Sequence, residues 1–559
     1  MNKAEFMQIS SLEKVFMSKR PECGAIKSIS ALKNERVSYQ IAYFRDAGGK
    51  VPLKITVSSP LEEYVTVRRV LNVPVSLPYR SDNYDDDYIM SEPGLAPDAL
   101  IPINLEKTDL FGGRWESLWV TVDLDGTVCA GEYNIDITFE YSDAFDFSRE
   151  MGERDKQTVT MTVEVIDALL PPQKLKVTQW FHSDCIASHF NVPVFSEEHW
   201  KYIESFIKTA VKNGINMILT PIFTPPLDTE IGGERPTVQL VQVAKNGDKY
   251  SFDFSRLDRW VDMCLSCGIK YFEMAHLFTQ WGAKATPKIV AEIDGEEKRI
   301  FGWDVPSTSA AYTAFLSEFL PALDVYLKKK GISDRAYFHI SDEPSGDEAK
   351  ENYIKAKAIV KKHLPDYKIM DALSDVAFYD EGIVELPVSA SDHIAPFMQK
   401  TLPERWVYYC MAEGKGVSNR FIAMPSYRNR VIAEQMFKYN INGFLQWGYN
   451  FYYSQLSRAL INPYVITDAD GVFQSGDAFS VYPYADGAAE SLRIVVFADA
   501  LQDMRAMELL ASKIGRDKVV ELIEKEAGMS IEFDKYPKSS EYILRRREAI
   551  NRKIRGICK

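Results

Sequence analysis

The chain has 559 residues, a formal net charge of −13, and 46% hydrophobic and 26% charged residues. That length exceeds one ordinary domain, and the apolar fraction can fill more than one core, so a soluble protein of two or three domains is expected. The negative balance argues against nucleic-acid or anionic-membrane partners, and no run of about 18 apolar residues exists to insert into a bilayer.

The elements expected in chain order begin with strands. Glu35–Phe44, Val51–Val57, Ser117–Asp123, Gly131–Phe139 and Thr158–Val165 alternate with period two or are rich in β-formers. Their spacing suits a β-sandwich over residues 1–170. Leu169-Leu170-Pro171-Pro172-Gln173 reads as a linker, because paired prolines stop strand and helix alike. Strand and helix patterns then alternate over residues 171–465. Eight strands are expected near 176–182, 215–220, 269–275, 335–341, 367–371, 385–390, 405–410 and 441–447. The clearest helices between them are Glu197–Asn213, Arg256–Cys267, Ala310–Lys330, Asp347–His363 and Asn429–Tyr439. Eight such units imply a (β/α)8 TIM-like barrel. Residues 466–559 read as a small extension: a β-like piece, Ala478–Pro483, then a helix over Ala488–Ser512 and a charged helical tail.

The seven scattered cysteines suggest no disulfide framework. Cys264 and Cys267 form a CxxC, but they lie inside a helical pattern and read as packing residues. The opening Met1–Phe6 lacks the apolar stretch of a signal peptide, so a cytoplasmic location is expected. The seven histidines form no HxxxH or HEXXH spacing, and neither a Gly-rich phosphate loop nor a GxSxG elbow stands at a strand end. No metal or cofactor is called for.

The most informative segment is Tyr337-Phe338-His339-Ile340-Ser341-Asp342-Glu343-Pro344. Strand formers end in two adjacent carboxylates, and Pro344 stops the strand. In a β/α barrel the C-terminal strand ends converge on one cleft. Reading those ends collects Trp180, His182 and Asp184 from strand one, and Thr220 and Asp228 from strand two. Strand three offers His276, Gln280 and Trp281, and strand four Asp342 and Glu343. The later strands offer Asp371, Asp375, Asp392, His393, Tyr408, Tyr409, Cys410, Trp447, Tyr449 and Asn450. The set is acidic and aromatic with no cationic cluster, which suits a neutral sugar.

Adjacent acids constrain the chemistry. A conventional retaining glycosidase sets its two carboxyls about 5–5.5 Å apart across the scissile bond. Neighbouring residues, with Cα atoms about 3.8 Å apart, do not straddle a pyranose easily. They can serve two parts of one sugar. Glu343 would protonate the glycosidic oxygen and later deprotonate water. Asp342 would accept the N–H of a 2-acetamido group whose oxygen is the nucleophile. By itself, Asp-Glu-Pro is equally a helix N-terminus with acids on the dipole. The position after a strand in the middle of the α/β region favours chemistry.

The chain resembles glycoside hydrolase family 123. The residues that carry the resemblance are Gln179–Asp184, His339–Pro344, Trp406–Cys410, Asn419-Arg420-Phe421 and Gly443–Asn450. The resemblance implies a β-sandwich ahead of a barrel. It also implies exo-acting, retaining β-N-acetylgalactosaminidase chemistry with the pair mapped onto Asp342 and Glu343. The implied partner is a carbohydrate bearing a terminal β-linked GalNAc.

Other residues keep two readings. Trp180 and Trp447 either wall the acetamido pocket or plug the barrel. Tyr449 either orients the acetamido carbonyl or packs. Asn450, His182 and Asp184 either bind hydroxyls or serve the fold. His276, Trp281, Asp375 and Tyr408 complete the candidate sugar-contacting set. His339, inside its strand, supports the acids. Two rival functions stand beside the first. One is a glycosidase for a sugar without an acetamide, in which Asp371, Asp375 or Asp184 supplies the second carboxylate. The other is a non-catalytic carbohydrate-binding protein.

Overall fold

The structure is a computed structural model that describes residues 4–141 and 154–558. Met1–Lys3, at the head of the segment read for a leader, lie outside the described residues.

The N-terminal region is two five-stranded sheets. Ala4–Ser10, Arg36–Arg45, Glu116–Asp123, Val65–Val75 and Gly94–Pro102 form one. Ser28–Leu32, Asp155–Ile166, Gly131–Tyr141, Lys50–Ser58 and Thr108–Phe111 form the other. Alternation in sequence becomes alternation in space: Tyr39, Ile41, Leu118 and Val120 share one buried core with Ile55, Ile137, Phe139 and Val163.

After the proline pair, eight parallel strands close into a barrel: Lys176–Gln179, Met217–Thr220, Tyr271–Met274, Ala336–Phe338, Lys368–Leu373, Leu386–Ala390, Trp406–Tyr408 and Gly443–Gln446. Closure is the pairing of the last strand with the first, from Lys176 beside Gly443 to Gln179 beside Gln446. Among the described residues the surrounding ring is not eight regular helices. Glu197–Lys212, Ser255–Cys267, Ala310–Lys330 and Gly346–His363 are long, but Ala377–Asp380 and Ile394–Met398 are single turns. The expected helix Asn429–Tyr439 is two short pieces, Ser426–Arg430 and Ile432–Lys438. The connections after the second and third strands also carry hairpins, which join into a four-stranded sheet.

Some expected strands end early for a physical reason. The fourth stops at Phe338, because the Ile340 N–H donates to the Asp371 carboxylate (3.2 Å) instead of to a ladder. Beyond the barrel a hairpin, Val481–Tyr484 with Gly487–Glu490, leads into the helix Leu492–Ile514, which is buried on nearly every side. Arg516–Ala527 and Ser540–Cys558 pack on that helix. All seven cysteines are free, with Cys264 buried on its helix. No helix among the described residues is long and apolar enough to cross a membrane.

Candidate active site

A cavity of about 190 Å³ opens at the C-terminal ends of the barrel strands. Trp180, Leu445 and Trp447 line it from the first and last strands, Asp342 and Glu343 from the fourth, and Ala372 and Tyr408 from the fifth and seventh. Leu227, Asp228, Gln280 and Trp281 come from the long connections after strands two and three. Met411, Gln455 and Phe473 complete the walls together with Cys410.

The acid turn is tightly built. Glu343 has a φ of 42°, a conformation rare for a residue with a side chain. The neighbouring connection holds it there. The Trp281 N–H donates to the Asp342 carbonyl at 2.8 Å. The Ser341 hydroxyl accepts from Gly282 N and Ala283 N and donates to the Thr279 carbonyl. The Tyr408 hydroxyl donates to Glu343 Oε1 at 2.6 Å. Burial, and then the Glu343 charge, push the Tyr408 pKa well up, so its proton stays available for that bond. Burial foremost, then the neighbouring Glu343, hold the Asp342 carboxyl well above the usual carboxylate range.

A charged chain crosses the barrel beneath this pair. His339 Nε2–H donates to Glu273 Oε1 (2.6 Å) and Nδ1–H to Asp371 Oδ1 (3.0 Å). Burial opposes charge on the imidazole, but the two carboxylates outweigh it and hold its pKa at about 10. Glu273 also accepts from the Trp180 indole N–H (2.7 Å) and the Thr178 hydroxyl (2.6 Å). Asp371 also accepts from the Tyr353 hydroxyl at 2.5 Å. Cavity wall and acid turn are thus tied to one cation. His276 stacks on His339 at 4.2 Å, and burial drives its pKa far down. His276, His339 and Asp371 bring ligand-type atoms within 4.8 Å of one another. Both His339 nitrogens are engaged by carboxylates, while neither buried His276 nitrogen has a hydrogen-bond partner among the described residues.

Several residues expected to touch sugar lie behind the wall. Asp184 pairs with Arg235 through two hydrogen bonds (2.7 and 2.8 Å), and His182 Nδ1 faces the same guanidinium at 3.2 Å. Asn450 bonds the His182 backbone through both of its side-chain atoms. Tyr449, fully buried, donates to the Phe206 carbonyl at 2.8 Å. These four lie outside the cavity lining, and their polar atoms are engaged by protein. Asp375 is exposed, accepts from Ala377 N–H (2.9 Å) and lies outside the cavity lining. His276 contacts Trp180 edge-on (5.3 Å) and does not reach the cavity lining. Trp180, Trp281, Tyr408 and Trp447 do line it.

Sequence reasoning passed over Arg235, Glu273, Glu413 and Asp477. Glu273 was findable: it is a carboxylate inside the apolar strand Tyr271–Met274, and a buried acid demands partners. Asp477 accepts from the Trp447 indole (2.9 Å) and is pushed up to about 6 by burial. Glu413 accepts from Cys410 N–H (2.6 Å). Burial, and then Asp392, raise its pKa well above the usual range. Asp228 is the further acid on the cavity wall, raised to about 6 by burial.

An acid pair, one member raised in pKa by burial and the other held by a phenol, at the mouth of a closed parallel barrel with aromatic walls is a site built for hydrolysing glycosidic bonds. The family described as glycoside hydrolase 123, catalytic domain, matches residues 180–510, more than half of the chain. The chain belongs to that family and is a glycoside hydrolase. A family 123 glycoside hydrolase from Clostridium perfringens, studied for glycolipid glycan hydrolysis, superposes with a TM-score of 0.73 at 15% identity, over 100% of this chain and 98% of that one. A β-galacturonidase from Eisenbergiella tayi (TM-score 0.30, 10% identity, 84% of this chain and 69% of that one) is far less similar. So is a β-glucuronidase from Bacteroides uniformis (0.28, 9%, 90% and 52%). A search of curated protein sequences gave no match.

Proposed function

We propose that the protein is an exo-acting, retaining glycosidase that removes a terminal β-linked N-acetylhexosamine, GalNAc preferred, with the substrate's acetamido group as nucleophile. The observation that carries this reading is that Asp342 and Glu343 both line the cavity while Asp184 and Asp371 are engaged elsewhere. On this reading the pair carries one proton before substrate binds, and burial and the neighbouring Glu343 favour its place on Asp342. An acetamido N–H arriving at Asp342 favours its ionised form, and the proton passes to Glu343. Glu343 then protonates the leaving oxygen as the acetamido oxygen attacks C1. The oxazolinium cation faces the Asp342 carboxylate. Water, deprotonated by Glu343, opens it and restores the β configuration. Trp180 and Trp447 wall the sugar. The preference for GalNAc draws on the family resemblance, and the Clostridium perfringens relative acts on glycolipid glycans.

A second reading is favoured by Asp228, a cavity-wall acid from a different connection. With Glu343 as acid, it would act on a sugar lacking the acetamide. Aryl β-glycosides with and without the 2-acetamido group, together with inhibition by an N-acetyl thiazoline analogue, separate the two. Turnover confined to acetamido substrates and tight thiazoline inhibition support the first. Equal turnover of the matching galactoside supports the second.

A further inference from the structure

The cavity walls grade from buried to exposed. Trp180 and Tyr408 are each 3% exposed and Phe473 is 5% exposed, whereas Trp281 is 46% exposed. Trp281 therefore stands at the mouth. The cavity volume, about 190 Å³, is below the ~300–1,000 Å³ of sites for drug-sized ligands, and it suits one pyranose. An exo-acting enzyme places that terminal sugar inside, so the next residue of the glycan sits at the mouth.

Trp281 is built to be there. Its φ of 59° is an outlier for a bulky side chain, and such strain persists only where surroundings over-determine it. The surroundings do so. Its N–H is bonded to the Asp342 carbonyl, and the next two N–H groups are bonded to Ser341 Oγ. Gly282 has a φ of 107°, and a Cβ there would lie 2.6 Å from Ala349, so the loop cannot take another residue at that point without shifting. The Trp281 backbone is thus fixed against the acid turn, and its side chain is carried there half exposed. An aromatic face attracts the electropositive C–H groups of a flat partner, and the C–H face of a pyranose is one.

We propose that Trp281 is the platform on which the leaving-group sugar stacks, so that the substrate is a glycan with a pyranose next to the terminal N-acetylhexosamine. This rests on the reading of the site given under the proposed function. The test compares two substrates with the same terminal sugar: a β-linked GalNAc disaccharide, and β-GalNAc fluoride, which has no leaving-group sugar. Trp281→Ala should lose about tenfold more in kcat/KM on the disaccharide, mostly through KM, than it loses on the fluoride. Trp281→Phe should restore most of the loss. Trp281→Gly, which tolerates the positive φ, should match Trp281→Ala and serves if that variant folds poorly. Equal losses on both substrates would overturn the proposal and leave Trp281 as a support of Asp342, and an unchanged disaccharide rate would also overturn it. Wild-type enzyme that cleaves neither GalNAc substrate would refute the parent reading instead.

Discussion

Glu343 and Trp281 both hold left-handed backbone, with φ of 42° and 59°, and each is tied to the other's segment through the Asp342 carbonyl. On the proposed reading, strain of that kind lets one turn present two carboxyls to different parts of a sugar. Glu343→Gln should therefore lose about 10²–10⁴-fold on a disaccharide, because an amide cannot deliver the proton. On a dinitrophenyl glycoside, whose leaving group needs little protonation, its first step should recover. Steady-state and burst kinetics on the two substrates check this, and an unchanged disaccharide rate removes Glu343 as the acid. Asp342→Asn should lower kcat by about two to three orders of magnitude with a smaller change in KM, since charge opposite the oxazolinium is lost. A destabilised but fully active variant would reduce Asp342 to a capping role. His339 gives a pH prediction. Its folded pKa, about 10, lies above the ordinary 6.5, so its stabilisation is complete below about pH 6.5 and lost as pH rises through 10. The melting-temperature gap between wild type and His339→Gln should be constant below pH 6.5 and narrow above it. A gap that widens with pH contradicts a cationic His339.

Elements were legible where one short pattern decides them. Ala310–Lys330 has its helical composition bounded by the Ser309 cap, which accepts from Tyr312 N–H, and by Gly331 at a φ of 72°. Tyr337–Pro344 showed its acids because β-formers, two carboxylates and a proline are contiguous. The wall supports were not legible from strand-end position. His182 and Asp184 follow the first strand, at the start of the helix Ser183–Phe190, yet each side chain meets Arg235, about 50 residues further on, and no local pattern carries that distance. Tyr449, in the loop after the last strand, likewise turns to the Phe206 carbonyl of the helix Glu197–Lys212. The last barrel strand carries its own test. A Cβ on Gly443 would lie 2.2 Å from the buried Trp406 ring, so Gly443→Ala overpacks the junction between the seventh and eighth barrel strands. It should cost about 1–3 kcal/mol, read as a lower denaturation midpoint. Unchanged stability would mean that the two strands can separate freely there.

Across the whole molecule, one buried ion network joins the regions. Asp503 on the long C-terminal helix accepts from Arg430 beside the barrel (2.8 and 3.0 Å), and from Arg546 (3.0 Å) and Arg547 (2.9 Å) on the last helix. Arg547 reaches Glu35 of the N-terminal sheets at 2.7 Å. Asp499, one turn before Asp503, is less well served: its nearest cation is Arg430 at 3.6 Å, and burial lifts its pKa to about 6. A carboxyl raised in the fold binds its proton more tightly there than in the unfolded chain, so its contribution falls as pH rises from about 4 through 6. Asp499→Asn should therefore raise stability at pH 7.5 by about 1–3 kcal/mol, with the gain vanishing near pH 4. Destabilisation at pH 7.5 would show that Arg430 needs the charge.

The central claim is that the substrate's own acetamide is the nucleophile. The most direct measurement is kcat for aryl β-GalNAc substrates whose acetyl group carries no, one, two or three fluorines. Fluorine draws electrons from the amide oxygen and weakens it as a nucleophile while leaving the ring and leaving group unchanged. With the acetamide as nucleophile, kcat should fall steeply and progressively along the series. A flat series would contradict it and assign the attack on C1 to a protein carboxylate, with Asp228 on the cavity wall the first to examine.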